Sequence, residues 1–210
     1  LKAMRPDLVL HETAAHHIEA LGFSTRDVTH IVLTHLDPDH AGGLSDFPNA
    51  YVHVLADEHR GANERPSPKE RLRYRPNQWA PSTRWQLYAP RGETWFGFEA
   101  VRDLRGLPPE ILMVPLSGHS RGHAAIAVAS DEGWLLHCGD AYFEPGDVHD
   151  ATPCHAALTL FQRLIAFDHA HLLDNQRRLR ELKSDPTTKV RTFCSHDAKE
   201  FDQLSRVERA

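Results

Sequence analysis

Four times in this chain a short apolar run ends and a histidine or aspartate follows within a few residues. "VTHIVLT" (28–34) leads into His35, "EILMVPL" (110–116) into His119, "WLLHC" (134–138) into Asp140 and "KVRTFCS" (189–195) into His196. Short apolar runs of this kind read as buried strands. The chain must therefore adopt a fold in which several strand ends can carry one site. The first of these ends is the densest: "THLDPDHAGG" (34–43) holds His35, Asp37, Asp39 and His40, then Gly42 and Gly43, which let the backbone come close and turn sharply. So many donors on one short loop cannot all reach one ion. They can serve two, one at His35 and Asp37 and the other at Asp39 and His40. Each ion then needs further ligands, because a catalytic site keeps three or more protein ligands beside an open position. His119, Asp140 and His196 stand ready at the other strand ends, with Asp140 able to bridge.

Between these strands the periodicity predicts a helix over 11–21, with Ala14, Ile18 and Leu21 on one face and Gly22 closing it. Further strands are expected at 50–56 and 124–130, a short polar helix or turn after the first of them, two helices within 158–183, and a last helix at "AKEFDQLSRV". There is no regular strand–helix alternation, which suits two sheets layered between helices. The stretch 60–98 stands apart, with Pro66, Pro68, Pro76, Pro81 and Pro90 beside Trp79, Trp85 and Trp95. Disordered linkers rarely carry so much tryptophan. An ordered lid or insertion on one domain spanning 1–210, surface padding packed by its own aromatics, and a homodimer contact are the readings open to it.

Composition narrows the classes. A net charge of -5 argues against a general nucleic-acid binder, and no apolar run approaches the roughly 20 residues of a membrane span. Cys138, Cys154 and Cys194 form no CxxC pair and no disulfide framework, so a reducing compartment, the cytoplasm, is expected. The 16 histidines are the unusual number, histidine being the commonest metal ligand.

The ensemble "THLDPDHAGG", "SGHSRGH", "CGDA" and "SHD", in this order between about Val28 and Asp197, resembles the metallo-β-lactamase fold family. The resemblance implies an α+β fold, a four-layer αβ/βα sandwich of two mixed sheets flanked by helices, with some N-terminal strands lacking here. It implies His35, Asp39, His40, His119, Asp140 and His196 as ligands of two divalent metal ions, zinc in the first instance. Asp37 stands where most members have histidine, and we expect it to be a ligand as well. Its charge makes the centre more neutral and a weaker Lewis acid, and its harder oxygen moves preference toward iron or manganese. Flavodiiron proteins are similar in this respect, although they carry a flavodoxin-like domain for which this chain has no room.

On the same basis the expected activity is that of a metal-dependent hydrolase. A hydroxide held between two ions attacks an ester, lactone, thioester or related carbonyl of a small molecule, with Asp39 or Asp140 moving the proton and Tyr142 either donating to the oxyanion or filling the core. A non-haem iron redox enzyme and a non-catalytic scaffold are the alternatives. His123 is expected to support the site rather than bind metal, Cys138 and Cys194 to fill strand faces, and Asp197 to orient His196. His11, His16, His17, His53, His59, His149, His155, His169 and His171 are read as surface or packing residues on helices and loops, without partners.

Overall fold

The computed structural model describes residues 9–149 and 154–207. After a short 3-10 turn the chain forms α1 (Ala14–Ala20), closed by Gly22 at φ +87°. Its sequence face finds no core to enter: no residue of α1 is buried, and Leu21 beyond it is exposed. β1 (His30–Val32), α2 (Pro38–Ala41), β2 (Tyr51–Leu55), α3 (Ala56–Glu64), α4 (Pro68–Arg73) and β3 (Arg84–Tyr88) follow. β1, β2 and β3 make a parallel sheet in that order. β4 (Glu93–Trp95) and β5 (Phe98–Ala100) form a hairpin, and Val101 bridges from its end to Met113. The second sheet is β6 (Ile111–Pro115), β7 (Ala124–Ser130), β8 (Gly133–His137) and β9 (Val190–Phe193), antiparallel until the last pair, which is parallel. α5 (Ala156–Ile165) and α6 (His169–Ser184) lie between β8 and β9 in sequence, and α7 (Ala198–Val207) ends the described chain.

Period-two alternation sorts the strand residues into layers. Val52 and Val54 of β2 face Ala62 of α3 and Tyr74, with Trp79 and Leu36. Leu55 faces the other way and joins Tyr88, Met113, Ala124 and Ile126 between the two sheets. The remaining face of the second sheet, with Leu112, Val114, Ala125, Ala127 and Leu136, packs on Leu179 and Leu182 of α6. Helix, sheet, sheet, helix is the resulting order. Each fully buried Leu or Val in it contributes about 1.5–3 kcal/mol.

The stretch 60–98 is not a single feature. It contributes the end of α3, all of α4 and the third strand of the first sheet, and its proline spacing hides β3, β4 and β5 from a reading by pattern. Trp79 and Trp85 pack edge-to-face in the helix-side core of the first sheet, whereas Trp95 belongs to the second sheet's core, edge-to-face with Trp134.

Candidate metal centre

The strand ends meet. β1 runs through Leu33 and Thr34 into His35, whose Nδ1 lies 3.0 Å from the Thr34 hydroxyl, leaving Nε2 to face the site. The chain then enters α2, with Asp37 at the N-cap position and Pro38, whose fixed φ suits a first helical turn, next. Asp37 makes no capping bond with its side chain, so the carboxylate is free for the site. The helical turn presents Asp39 and His40. Gly42 continues it at φ −63° rather than turning sharply; what it supplies is closeness, since a Cβ there would stand 2.7 Å from the Pro38 carbonyl.

Asp140, buried at the end of β8, is the hub. Its Oδ1 is 3.2 Å from His40 Nε2, and its Oδ2 is 3.2 Å from His196, 3.6 Å from His119 and 3.8 Å from His35. Asp37 Oδ2 lies 3.1 Å from His119 Nε2 and 3.6 Å from His35 Nε2. His40 and His196 close on Asp39 at 3.7 and 3.8 Å. His35, Asp37 and His119 thus form one group able to hold an ion, Asp39, His40 and His196 another, and Asp140 joins His35 and His40 between them. All seven residues expected to bind metal are in this cluster.

Unpaired atoms test whether the cluster fits a cation. Among the buried side-chain atoms without a hydrogen-bond partner are His35 Nε2, Asp37 Oδ1, His40 Nε2 and Asp140 Oδ1. Buried polar atoms are seldom left so, and these four, unlike the others found elsewhere in the chain, belong to candidate ligands and converge on one place. The electrostatics agree. Burial works to lower the pKa of His35, but Asp37, then Asp140 and Glu58, outweigh it and raise it to about 9. Burial opposes ionisation of Asp37 and Asp140 too, yet both are held well below the usual range, Asp37 by His119 and His35, Asp140 by His196 and His40. The cluster holds an excess of negative charge that a metal would satisfy.

Two residues that carry no metal-binding signature fix this geometry. Glu58, in the first turn of α3, is fully buried and accepts four hydrogen bonds: from Leu36 N (3.0 Å) and Tyr74 Oη (3.0 Å) at Oε1, and from Ser120 Oγ (2.7 Å) and Gly122 N (2.9 Å) at Oε2. It clasps the His35 loop to the His119 loop, and Gly122 comes so close that a Cβ would be 2.2 Å from Glu58 N. Arg73, at the end of α4, donates to Asp37 Oδ2 at 2.9 Å. A buried extra carboxylate calls for a cation, and that requirement was the one sequence signal for Arg73. Glu58 had none.

His123 supports the site, as its expected role requires: it accepts from Asp140 N at 3.0 Å through Nε2 and lies 3.2 Å from the Leu116 carbonyl through Nδ1, an arrangement for a neutral ring, which burial enforces. Other expectations are corrected. Tyr142 is fully buried in the core, where its hydroxyl donates to Glu200 at 2.9 Å, so it cannot serve as oxyanion donor in this arrangement. Asp197 accepts from Glu200 N at 2.7 Å and caps α7 instead of orienting His196. His53 lies on β2, not on a helix or loop, and has partners: His30 Nδ1 at 2.9 Å and Tyr88 Oη at 2.8 Å. His155 is likewise partnered, by Glu144, and His171 by Asp168 at 3.3 Å, and His149 is not without a partner either. Cys138 and Cys194 fill the second sheet's core, their thiols pushed up by burial, Cys194 to about 12.

The cluster opens into a cavity of about 510 Å³, bordered by Asp37, Asp39, His119, Asp140 and His196. Leu72 of α4, Phe143, and Leu158, Phe161 and Ile165 of α5 form its apolar wall, with Arg73 and Arg75 also in the lining, and the Phe143 ring packs against His119 and His196.

The profile of the metallo-beta-lactamase superfamily matches residues 4–187. The chain belongs to that superfamily. Among the relatives of this metallo-β-lactamase superfamily member are a probable metallo-hydrolase of Mycobacterium tuberculosis and one of Mycobacterium bovis, each 42% identical over 203 residues. The match takes in 97% of this chain and 65% of each relative, so the chain spans just under two thirds of their length. Similar solved structures include an N-acyl homoserine lactone hydrolase with N-hexanoyl-L-homoserine bound at its catalytic metal centre (TM-score 0.71, 21% identity, 94% of this chain and 67% of that one). A quorum-quenching N-acyl homoserine lactone lactonase (0.70, 21%, 95% and 71%) and a dizinc quorum-quenching lactonase (0.52, 22%, 87% and 62%) share the fold as well. Among the described residues no helix is long and apolar enough to cross a membrane.

Proposed function

We propose that this chain is a dinuclear metal-dependent hydrolase that opens an ester or lactone carrying an apolar arm. The observation that carries the reading is the meeting of seven histidine and aspartate ligand candidates, four of them with unpaired buried atoms, in a cluster of which Asp37, Asp39, His119, Asp140 and His196 line a cavity with an apolar wall. His35, Asp37 and His119 would hold one ion, Asp39, His40 and His196 the other, and Asp140 both. Bound divalent ions supply an acidified water and polarise the carbonyl under attack. Zinc is the metal proposed, in keeping with histidine-rich ligation and with the dizinc lactonase of the same fold.

The chain's own residues divide the remaining work. Asp140 stays ionised, because His196 and His40 overcome the burial that opposes its charge, so it holds position and charge and is unsuited to carrying a proton. Asp39, about half exposed beside His196, can exchange a proton with solvent and pass it to the leaving group. The wall of Leu158, Phe161, Ile165 and Leu72 takes an acyl or similar arm by the hydrophobic effect and excludes water from it. The bound lactone products in structures of this fold have such arms. The iron redox alternative rested on the extra charge of Asp37; Arg73 offsets that charge, which favours the hydrolytic reading. Three unpaired thiols, two of them buried, suit a reducing compartment, and we place the protein in the cytoplasm.

The test is protein purified without chelator, assayed for metal by elemental mass spectrometry and then for turnover of lactones and esters of graded acyl length. Two metals per chain, activity lost to chelator and restored by zinc, and a preference for longer arms are expected. A metal-loaded protein that cleaves no ester, lactone or thioester would refute the reading.

A further inference from the structure

Arg73 sits at a junction that neither metal ligation nor the apolar wall explains. Its side chain is buried, with Nη1 2.9 Å from Asp37 Oδ2, while Nη2 donates to the Ile165 carbonyl at 2.5 Å. One turn earlier on α4, Lys69 donates to the Ala166 carbonyl. Two cations thus meet the C-terminal end of α5, where the helix's unpaired carbonyls and dipole favour them. Of the two, only Arg73 also reaches the metal cluster. Asp37 Oδ2 is shared between Arg73 and His119, and Asp37 Oδ1 is buried with no partner.

We infer that Arg73 is a positioning residue for the metal centre, paired with Asp37 so that this carboxylate keeps its place beside His35 and His119 without adding net charge there, and tying the centre to α5. The inference rests on the metal-binding reading above. Its physical content is interdependence. Replacing Asp37 alone strands a buried guanidinium beside the ions, and an unpaired buried charge is far costlier than a paired one. Removing both charges leaves the net charge of the centre as it was. Arg73 touches the reaction only through Asp37.

The test is a set of variants read by zinc stoichiometry and by zinc affinity in competition with a chromophoric chelator, with circular dichroism to confirm folding. Asp37→His is expected to weaken zinc binding by about tenfold or more, since it removes a carboxylate and leaves the guanidinium unopposed. Adding Arg73→Met, or Arg73→Gln, which can still donate to the Ile165 carbonyl, should recover most of that loss. Adding Arg73→Lys, which keeps the cation, should not. Equal recovery with lysine and with the neutral residues would show that bulk, not charge, couples the two positions, and would overturn the inference. Losses that simply add, with no recovery in either neutral double variant, would overturn it too. Wild-type protein that takes up no zinc would remove the metal-binding reading and this inference together, a result distinct from either of those.

Discussion

Glu58 offers the sharpest test of how the centre is held. Its carboxylate accepts two main-chain N–H groups and two hydroxyls, with the main-chain groups on different oxygens: Leu36 N on Oε1 and Gly122 N on Oε2. Glu58→Gln keeps the shape and turns one of those oxygens into an NH2 donor. The hydroxyl of Tyr74 or Ser120 can rotate to accept from it, but a main-chain N–H cannot. Whichever way the amide turns, either Leu36 N or Gly122 N is left buried and unpaired. An orphaned donor costs about 1–3 kcal/mol, and the surviving bonds lose the strengthening that a charged acceptor gave them, so a total near 2–4 kcal/mol is expected. Urea unfolding of the metal-free protein reads this loss directly. Because Leu36 lies between His35 and Asp37, and Gly122 beside His123, zinc affinity should fall with it, by about 10–100-fold, as is usual for residues that hold ligands in place. A Gln variant with stability within about 0.5 kcal/mol of wild type and unchanged zinc affinity would show that the four contacts do not hold the two loops.

Three further outcomes are expected. The folded-state pKa of His53 is lowered to about 4, by burial and then by His30, so the unfolded chain takes up the proton first; the stabilisation is present above pH 6.5 and is lost as pH falls toward 4, by up to about 3 kcal/mol. Urea titrations at pH 7.5, 5.5 and 4.5 should show a shallower acid loss in His53→Gln, and parallel curves would refute the assignment. Tyr142→Phe should cost about 1–2 kcal/mol of stability, since Glu200 keeps Lys183 and Cys194 N as partners, with turnover within about twofold of wild type; a hundredfold fall in kcat would return Tyr142 to the reaction. Phe161→Ala should raise KM for long-chain esters by roughly 5–30-fold, the equivalent of about 1–2 kcal/mol of lost apolar contact, and leave acetyl esters unaffected. Equal effects on both ester lengths would place the arm elsewhere.

The residues that meet in the candidate centre were legible because their signal is local. His35, His119, Asp140 and His196 come within a few residues of an apolar strand's end, and Asp37, Asp39 and His40 follow His35 on one short turn, so the chain delivers them to the sheets' ends whatever else happens. The layers were legible for a similar reason, since alternation along "YVHVL" or "AAIAVAS" sorts faces before any tertiary contact is known. The third strand of the first sheet was not, because "RWQLY" alternates weakly and sits among prolines; its pairing with β2 supplies what its own pattern lacks. His53 and Tyr142 show what sequence alone leaves open. A polar residue in an apolar run can face a site or a buried partner, and only the partner, His30 or Glu200, decides which.

Glu58 and Arg73 mark where such reading stops. Glu58 reaches across 22 residues to Leu36 and 64 to Gly122, and Arg73 across 36 to Asp37. In sequence they are an acid in a polar helix and one arginine among many. What makes them part of the centre appears only in the fold: the His35 and His119 loops bring their N–H and hydroxyl groups together on Glu58, and Arg73 answers the charge of Asp37. The same holds for α5, whose apolar positions look like core positions at helical spacing. In the structure Leu158 and Phe161 are partly exposed and line the cavity, so the pattern that normally marks a buried face here marks one waiting for something to cover it. An apolar face beside a cluster of candidate metal ligands is therefore better tested with graded substrates than counted as core. If Leu158→Ala raised KM for a long-chain ester while leaving the urea midpoint unchanged, α5 would be shown to act on substrate binding rather than on folding.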